Sequence, residues 1–379
     1  MVKMGIDCID EYLDLFEGKK CALITNHTGI NKDFISTIDI LKPITNLIAL
    51  LSPEHGIRGE LQAGVKFDSY YDDSSKIKVY SLYNDTRRPP REVMEEIDVL
   101  AFDIQDVGAR FYTFLYTMSY AMEATKDYGK KIVIFDRPNP VNGIDVEGNI
   151  LDLDNRSFVG YYPIVQRYGL TIGELATLFN QEFNILADLH IIKMEDYSRN
   201  MDYFKTGSNW MLPSPNIPTP ETAYVYLATC VFEGTNMSEG RGTTKPFHFI
   251  GSPYLKQREI IDELEKLNLE GVRFRPVFFT PTFSKHKGQL CKGLEVVITD
   301  YQRFKPVITG FIMLDLIRRN HHEFEFLPPY SKNGKPFIDL LTGNSYLREN
   351  KYNINQIKEI VMKDTKKFEK IKRRYHLYD

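Results

Sequence analysis

The 379-residue chain holds only four cysteines, Cys8, Cys21, Cys230 and Cys291. None stands in a C-x-x-C pair, which excludes a zinc ribbon and a thioredoxin-type motif. So few thiols in so long a chain need no oxidising compartment, and buried free thiols are the expectation. Charge of one sign is not in excess: 48 Lys and Arg against 51 Asp and Glu leave −3. No global positive field draws in nucleic acid, so no nucleic-acid partner is expected. Long apolar runs are missing as well. No stretch approaches the roughly 18 apolar residues of a membrane span. Between Met1 and Lys20 no apolar h-region follows a basic start, so no signal peptide is expected. As written the chain reads as cytoplasmic, and an exported form already cleaved reads the same way.

Cofactor and nucleophile motifs are also absent. There is no G-x-G-x-x-G after the first apolar run, no G-x-x-x-x-G-K-[ST], and no G-x-S-x-G elbow. His321-His322-Glu323 lacks the H-E-x-x-H spacing, and adjacent histidines on a helix point apart. No cofactor and no resident metal are expected. A metal held by His27 and His55 with Glu54 and Asp106 is a lesser alternative, unsupported by any ligand spacing.

What is present is ordinary globular composition, 42% hydrophobic and 26% charged, with 23 Tyr and 24 Phe. The length suggests two domains. Short apolar runs at Cys21 to Thr25, Leu47 to Leu51, Lys78 to Leu82, Val99 to Ile104, Ile132 to Phe135 and Leu189 to Ile192 predict buried strands. Helical stretches fall between some of them, at Thr117 to Lys126 and Thr171 to Asn184. This alternation predicts an open, mainly parallel α/β sheet. Thr171-Ile172-Gly173-Glu174 fits a capping box, so Glu174 reads as a helix start.

A proline-dense stretch, Pro213, Pro215, Pro218 and Pro220, breaks both helix and strand. It places a domain boundary near Glu221, giving 1–220 and 221–379. The second part reads as a smaller α+β unit. Helices are predicted at Leu255 to Leu267, Gly310 to Arg319 and Ile354 to Ile371, and strands at Arg273 to Phe279 and Leu294 to Thr299. The tail from Lys363 to Arg374 carries seven basic and two acidic residues, and is read as a solvated helix face.

Ligands of open α/β sheets bind beyond the carboxyl ends of the strands. Four of the predicted strands run into polar motifs there: Asn26-His27-Thr28-Gly29, Ser52-Pro53-Glu54-His55-Gly56, Asp103-Ile104-Gln105-Asp106 and Asp136-Arg137-Pro138-Asn139-Pro140. Their coincidence predicts one polar site on one sheet edge. Glycosidic-bond hydrolysis commonly uses two carboxyl groups, one protonated and one ionised. Glu54 is the first candidate, against a structural reading as a helix cap or a partner of Arg58. Glu239, in the Gly-rich loop Ser238 to Thr244, is the second, against a loop-stabilising pair with Arg241. Asp106 is its rival. Arg58, Arg110, Arg137 and Arg241 offer forked guanidinium groups for an anion. Phe111, Tyr112, Phe114 and Tyr116 offer either a stacking face for a sugar or core.

Taken together, Ser52-Pro53-Glu54-His55-Gly56 with Arg58-Gly59, Asp103 to Gly108 with Arg110-Phe111-Tyr112-Thr113, Asp136 to Pro140, Pro213 to Thr219, and Glu233 to Asn236 with Ser238 to Thr243 resemble the exo-β-N-acetylmuramidases of glycoside hydrolase family 171. The resemblance runs through most of the chain. It implies a Rossmann-like catalytic domain, an open sheet with helices on both faces, and a smaller C-terminal domain closing the cleft. It implies release of terminal N-acetylmuramic acid from the non-reducing ends of a muropeptide or glycan-strand disaccharide. The glutamate of the family's E-H-G motif falls on Glu54. The expected site is then Glu54 with Glu239 or Asp106 in catalysis. His27, His55, Gln105, Tyr112, Asp136, Asn139 and Asn236 orient the sugar, and Arg58, Arg110 or Arg241 receives its lactyl carboxylate. A non-catalytic cell-wall sugar-binding protein is the alternative of a different class.

Overall fold

The computed structural model describes residues 1–54, 56–59, 69–83 and 87–379. The predicted β-runs become β1 (Lys20–Thr25), β2 (Asn46–Ser52), β4 (Lys78–Ser81), β5 (Val99–Asp103), β6 (Lys131–Phe135) and β7 (Asp188–Ile192), with a short β3 (Tyr70–Tyr71) that no pattern announces. They form one sheet in the order β3-β4-β2-β1-β5-β6-β7. All pairings are parallel except β3 with β4. The strand order reverses direction between β1 and β5, the place where open α/β sheets usually bind ligands.

Side chains alternate across this sheet into two cores. Ala22, Ile24, Leu100, Phe102, Ile132 and Ile134 face one, with Val93 and Met94 of α2 (Arg91–Glu96), and with α3 (Phe114–Asp127) and α4 (Ile172–Glu182). Cys21, Leu23, Val99, Ala101, Val133 and Phe135 face the other, with Ile38 and Leu41 of α1 (Thr37–Leu41) and a 3-10 segment, Gly5–Leu15. Helical cover on both faces explains why these strands read as continuous apolar runs rather than alternating ones. Each fully buried Leu, Ile or Phe contributes about 1.5–3 kcal/mol. The capping box is formed as the sequence predicts: Glu174 N donates to Thr171 Oγ1, and Thr171 N donates to Glu174 Oε2 at 2.9 Å.

Thr219 caps α5 (Pro220–Thr229), with Pro220 in the first turn where its missing N–H costs nothing. Beyond it, β8 (Phe249–Ser252), β9 (Val272–Phe279) and β10 (Cys291–Ile298) form an antiparallel sheet in the order β8-β10-β9. Helices α6 (Gln257–Lys266), α7 (Pro306–Asn320), α8 (Phe337–Thr342) and α9 (Ile354–Lys372) complete this part. The fold is thus a mainly parallel Rossmann-like sheet with a smaller α+β unit. The tail returns to the first sheet, where Tyr378 donates its hydroxyl to Asp136 Oδ2 at 2.6 Å. All four cysteines are buried and free. Among the described residues no helix is long and apolar enough to cross a membrane.

Candidate active site

A cleft of about 760 Å³ lies not over the β1/β5 switch point but beside it, next to the end of β2. That volume suits a small-molecule site, for which roughly 300–1,000 Å³ is usual. Glu54, Tyr83, Arg87 and the turn Phe111-Tyr112-Thr113 form one wall, and Tyr226, Cys230, Glu233, Arg241 and Phe247 line another part of it. Phe158, Tyr330 and Phe337 add apolar surface.

Glu54 is half-buried, two residues beyond the end of β2. Thr113 donates its hydroxyl to Glu54 Oε2 at 3.0 Å. Thr113 is also the N-cap of α3, yet its side chain makes no cap bond. A capping threonine normally accepts an N–H of its own helix; here the hydroxyl serves the glutamate instead. The positive end of α3 favours negative charge at the same place. Burial, then the Glu54 charge and a hydrogen bond with it, push the Tyr83 phenol up to about 12.

On the facing loop Arg241 donates to Glu233 Oε1 at 2.8 Å and lies 3.2 Å from Glu239 Oε1. Its guanidinium sits over the Phe247 ring, 5.2 Å from the centroid. Glu239 is 2% exposed and does not line the cleft. Its other oxygen lies 2.7 Å from Lys285 Nζ, an ion pair without hydrogen-bond geometry, since Lys285 donates to the carbonyls of Phe232 and Thr235. Glu239 therefore ties two cations behind the wall, and Glu233 is the carboxylate that faces the void. Backbone bonds of the Gly-rich loop run to β8 and within the loop. Ser238 N donates to Gly251 O and Thr243 N to Gly240 O, while Gly240 and Gly242 take φ of 76° and 78° that glycine alone adopts freely.

The remaining predicted residues scatter. Tyr112 lines the cleft with its ring edge-on to Phe114 and Tyr226, its hydroxyl pushed well up by burial. Asp106 lies outside the lining, buried. Its Oδ2 accepts from Gly108 N at 2.8 Å and from the Tyr168 hydroxyl, and desolvation raises its carboxyl to about 6. Arg110 is fully buried and donates to the carbonyls of Asn149, Ile164 and Leu341. Arg58 grips Asp72 through Nε and Nη2, outside the cleft lining. Asn236 bridges Glu323 O and the Tyr254 hydroxyl. His27 Nε2 sits 2.5 Å from Leu212 O, its ring so close to Gly59 that a Cβ there would lie 2.2 Å from it. His55 lies outside the described residues.

Gln105, Asp136 and Asn139 belong to the switch-point ends of β5 and β6. Gln105 donates to the carbonyls of Asp106 and Pro138, and Asn139 to Leu170 O. Asp136 accepts from Arg137 N, Gly173 N, Thr171 Oγ1 and the Tyr378 hydroxyl. The single polar edge expected from the sequence is thus two regions. No group of three or more His, Cys, Asp or Glu able to hold a metal ion occurs among the described residues.

Sequence reasoning passed over Glu233, Arg87, Tyr83 and Tyr330. Two of them carried a readable signal. Glu233 ends the apolar run Ala223 to Phe232, and Arg87 follows the β4 run. The rule applied to four other strands, polar residues beyond an apolar run, reaches Glu233 at the first position after Phe232 and Arg87 five positions after Leu82.

The comparisons agree with this architecture. Residues 21–221 match the model for exo-beta-N-acetylmuramidase NamZ, N-terminal, and residues 224–378 match its C-terminal counterpart. The peptidoglycan beta-N-acetylmuramidase NamZ of Bacillus subtilis (strain 168) is 47% identical over 384 residues, covering 100% of this chain and 91% of that protein. Two crystal structures of DUF1343 family proteins from Bacteroides fragilis NCTC 9343 superpose over 100% of this chain and 99% of theirs. Their TM-scores are 0.89 and 0.79, with 35% and 31% identity. A sheet with its glutamate-lined cleft, matched along nearly its whole length, leaves one assignment: the chain belongs to the exo-β-N-acetylmuramidase NamZ family.

Proposed function

We propose that the protein is an exo-acting glycoside hydrolase that releases terminal β-linked N-acetylmuramic acid from the non-reducing ends of peptidoglycan fragments, a step of cell-wall turnover. The observation that carries this reading is Glu54, seated on Thr113 and facing a sugar-sized cleft whose lining includes a second carboxylate, Glu233. Glu54 donates its proton to the leaving glycosidic oxygen. Glu233, oriented by Arg241, faces the positive charge that develops at the anomeric carbon or directs the attacking water. Glu239 and Lys285 hold Arg241 and its loop in place behind the wall. The rings of Tyr112, Phe158 and Tyr330 give the sugar its apolar contacts.

The same reading divides the chain into a catalytic part, 1–220, and an auxiliary part, 221–379. The two sheets fall on either side of that line, and the family models change over between 221 and 224, which supports it.

The test is Glu54→Gln, which keeps shape and removes the proton. On a chromogenic β-N-acetylmuraminide we expect turnover to fall about 10²–10⁴-fold with the thermal midpoint unchanged. Near-wild-type turnover overturns the assignment. A sugar-binding protein without chemistry is separated by single-turnover release of free N-acetylmuramic acid, which it would not show.

A further inference from the structure

N-acetylmuramic acid differs from N-acetylglucosamine by one group, the lactyl ether on C3 and its carboxylate. An enzyme that reads this difference needs a cation in the cleft whose donors are not already taken. Of the arginines near the strand ends, Arg110 is buried on three carbonyls and Arg58 is clasped by Asp72. Arg241 lines the cleft but is bracketed by Glu233 and Glu239. Arg137 is locked onto Asp103.

Arg87 differs from all four. It lines the cleft, and among the described residues no carboxylate lies within ion-pair distance of it and no group accepts a hydrogen bond from it. Its guanidinium carbon lies over the Phe158 ring, 3.8 Å from the centroid. Phe158 in turn stacks on Tyr120 and leans against Tyr83, so the guanidinium rests on a braced aromatic shelf. Packing on a ring engages the guanidinium's charge without using its N–H donors, which stay available to grip a carboxylate with two parallel bonds. Arg87 also sits at φ 51°, a conformation that a non-glycine residue holds at a cost. Glu54, Tyr83 and Arg87 line the same cleft, so the cation and the acid proposed to face the scissile bond open onto one void. In a pyranose, C1 and C3 belong to one ring, so a carboxylate on a short arm from C3 falls within a ring's width of the bond being cut.

We infer that Arg87 is the residue that binds the lactyl carboxylate and sets the preference for N-acetylmuramic acid over N-acetylglucosamine, an inference that rests on the glycosidase reading above. The test compares wild type, Arg87→Met and Arg87→Lys. Activity is measured on chromogenic β-N-acetylmuraminide and β-N-acetylglucosaminide, and affinity for free N-acetylmuramic acid and N-acetylglucosamine by calorimetry. Arg87→Met should lose about 100–1,000-fold in kcat/KM on the muraminide, mainly through KM. Its affinity for the muramic acid should drop to that for N-acetylglucosamine, which itself stays unchanged. Arg87→Lys, which keeps the charge without the fork, should fall between. Unchanged discrimination in Arg87→Met, or equal loss toward both sugars, overturns the inference while leaving the glycosidase reading intact. A wild-type protein that neither cleaves the muraminide nor prefers muramic acid overturns both.

Discussion

Asp103 and Glu54 stand at or just beyond the carboxyl ends of β5 and β2 in one sheet, and their surroundings part completely. Asp103 is fully buried. Both its oxygens are claimed by Arg137, at 2.5 and 2.8 Å, and Thr37 adds its hydroxyl. The same end of the sheet stitches itself further. Thr25 Oγ1 donates to Asp103 O, Gln105 N to Thr28 Oγ1, and Arg137 to Ile30 O. Residues of the type that bind ligands at a switch point here bind one another, and the void left over them, bordered by Gln105 and Arg137, is also covered by Met1, Val2 and Met4. Glu54 meets a void instead, walled by Arg87, Glu233 and aromatic rings. Polar residue types alone therefore do not mark a site in this fold; polar groups aimed at space do.

The comparison breaks first at Arg137. If its pair with Asp103 is structural, Arg137→Met leaves a buried, uncompensated carboxylate, and stability should fall by about 3–5 kcal/mol. Urea unfolding measures it. Turnover per folded molecule should stay within about threefold of wild type, and a large specific loss of turnover with intact stability would move the switch point into the chemistry.

The cleft wall gives the second contrast. Glu233→Gln should lower kcat about 10²-fold, which is about 2.7 kcal/mol of barrier. Its unfolding midpoint should barely move, because the Glu233–Arg241 pair is partly open to solvent. Glu239→Gln should do the reverse, loosening a buried carboxylate held by Arg241 and Lys285 and lowering the midpoint more than the chemistry. The opposite pattern, Glu239 controlling rate and Glu233 controlling stability, exchanges their roles.

The sheet was legible because its strands are buried on both faces and so read as apolar runs. Tyr70–Tyr71 is too short to show any period, and Phe249–Ser252 is a four-residue strand interrupted by Gly251. The six strand runs of the large sheet, and in the second part the two strands and three helices that the sequence predicts, fall within a few residues of their predicted bounds, whereas the short α8 was not foreseen. The site was less legible for a physical reason. Whether Asp136 or Glu54 faces a ligand depends on which donors lie within 3 Å of it. Thr171, Gly173 and Tyr378, which claim Asp136, come from positions 35 to 242 residues away in the chain. Arg241 illustrates the same limit from the other side: its local motif was visible, but its neutralisation by Glu233 and Glu239 together was not.

The smallest effect on stability and turnover together belongs to Asp106, which tests where the cleft ends. Its Oδ1 has no hydrogen-bond partner among the described residues, and burial raises the carboxyl from 3.8 to about 6. Between those values the folded protein holds a proton that the unfolded chain has lost. Stability from this group is therefore fully present below about pH 4, declines as pH rises through about 6, and stays reduced above it. Asp106→Asn keeps an acceptor for Gly108 and Tyr168 and carries no charge at any pH. It should flatten that decline, by an amount on the order of 1–3 kcal/mol, in unfolding curves taken between pH 4 and 7. Asp136, raised to about 6 by its own burial, and Glu147, raised by burial too, add to the decline that remains, while His376, lowered to about 4 by burial, opposes it. Because Asp106 lies outside the cleft lining, turnover of the variant should stay within about threefold of wild type. A loss beyond about 100-fold would mean that the carboxyl reaches the sugar after all, and the boundary between the two regions would have to be redrawn through Asp106.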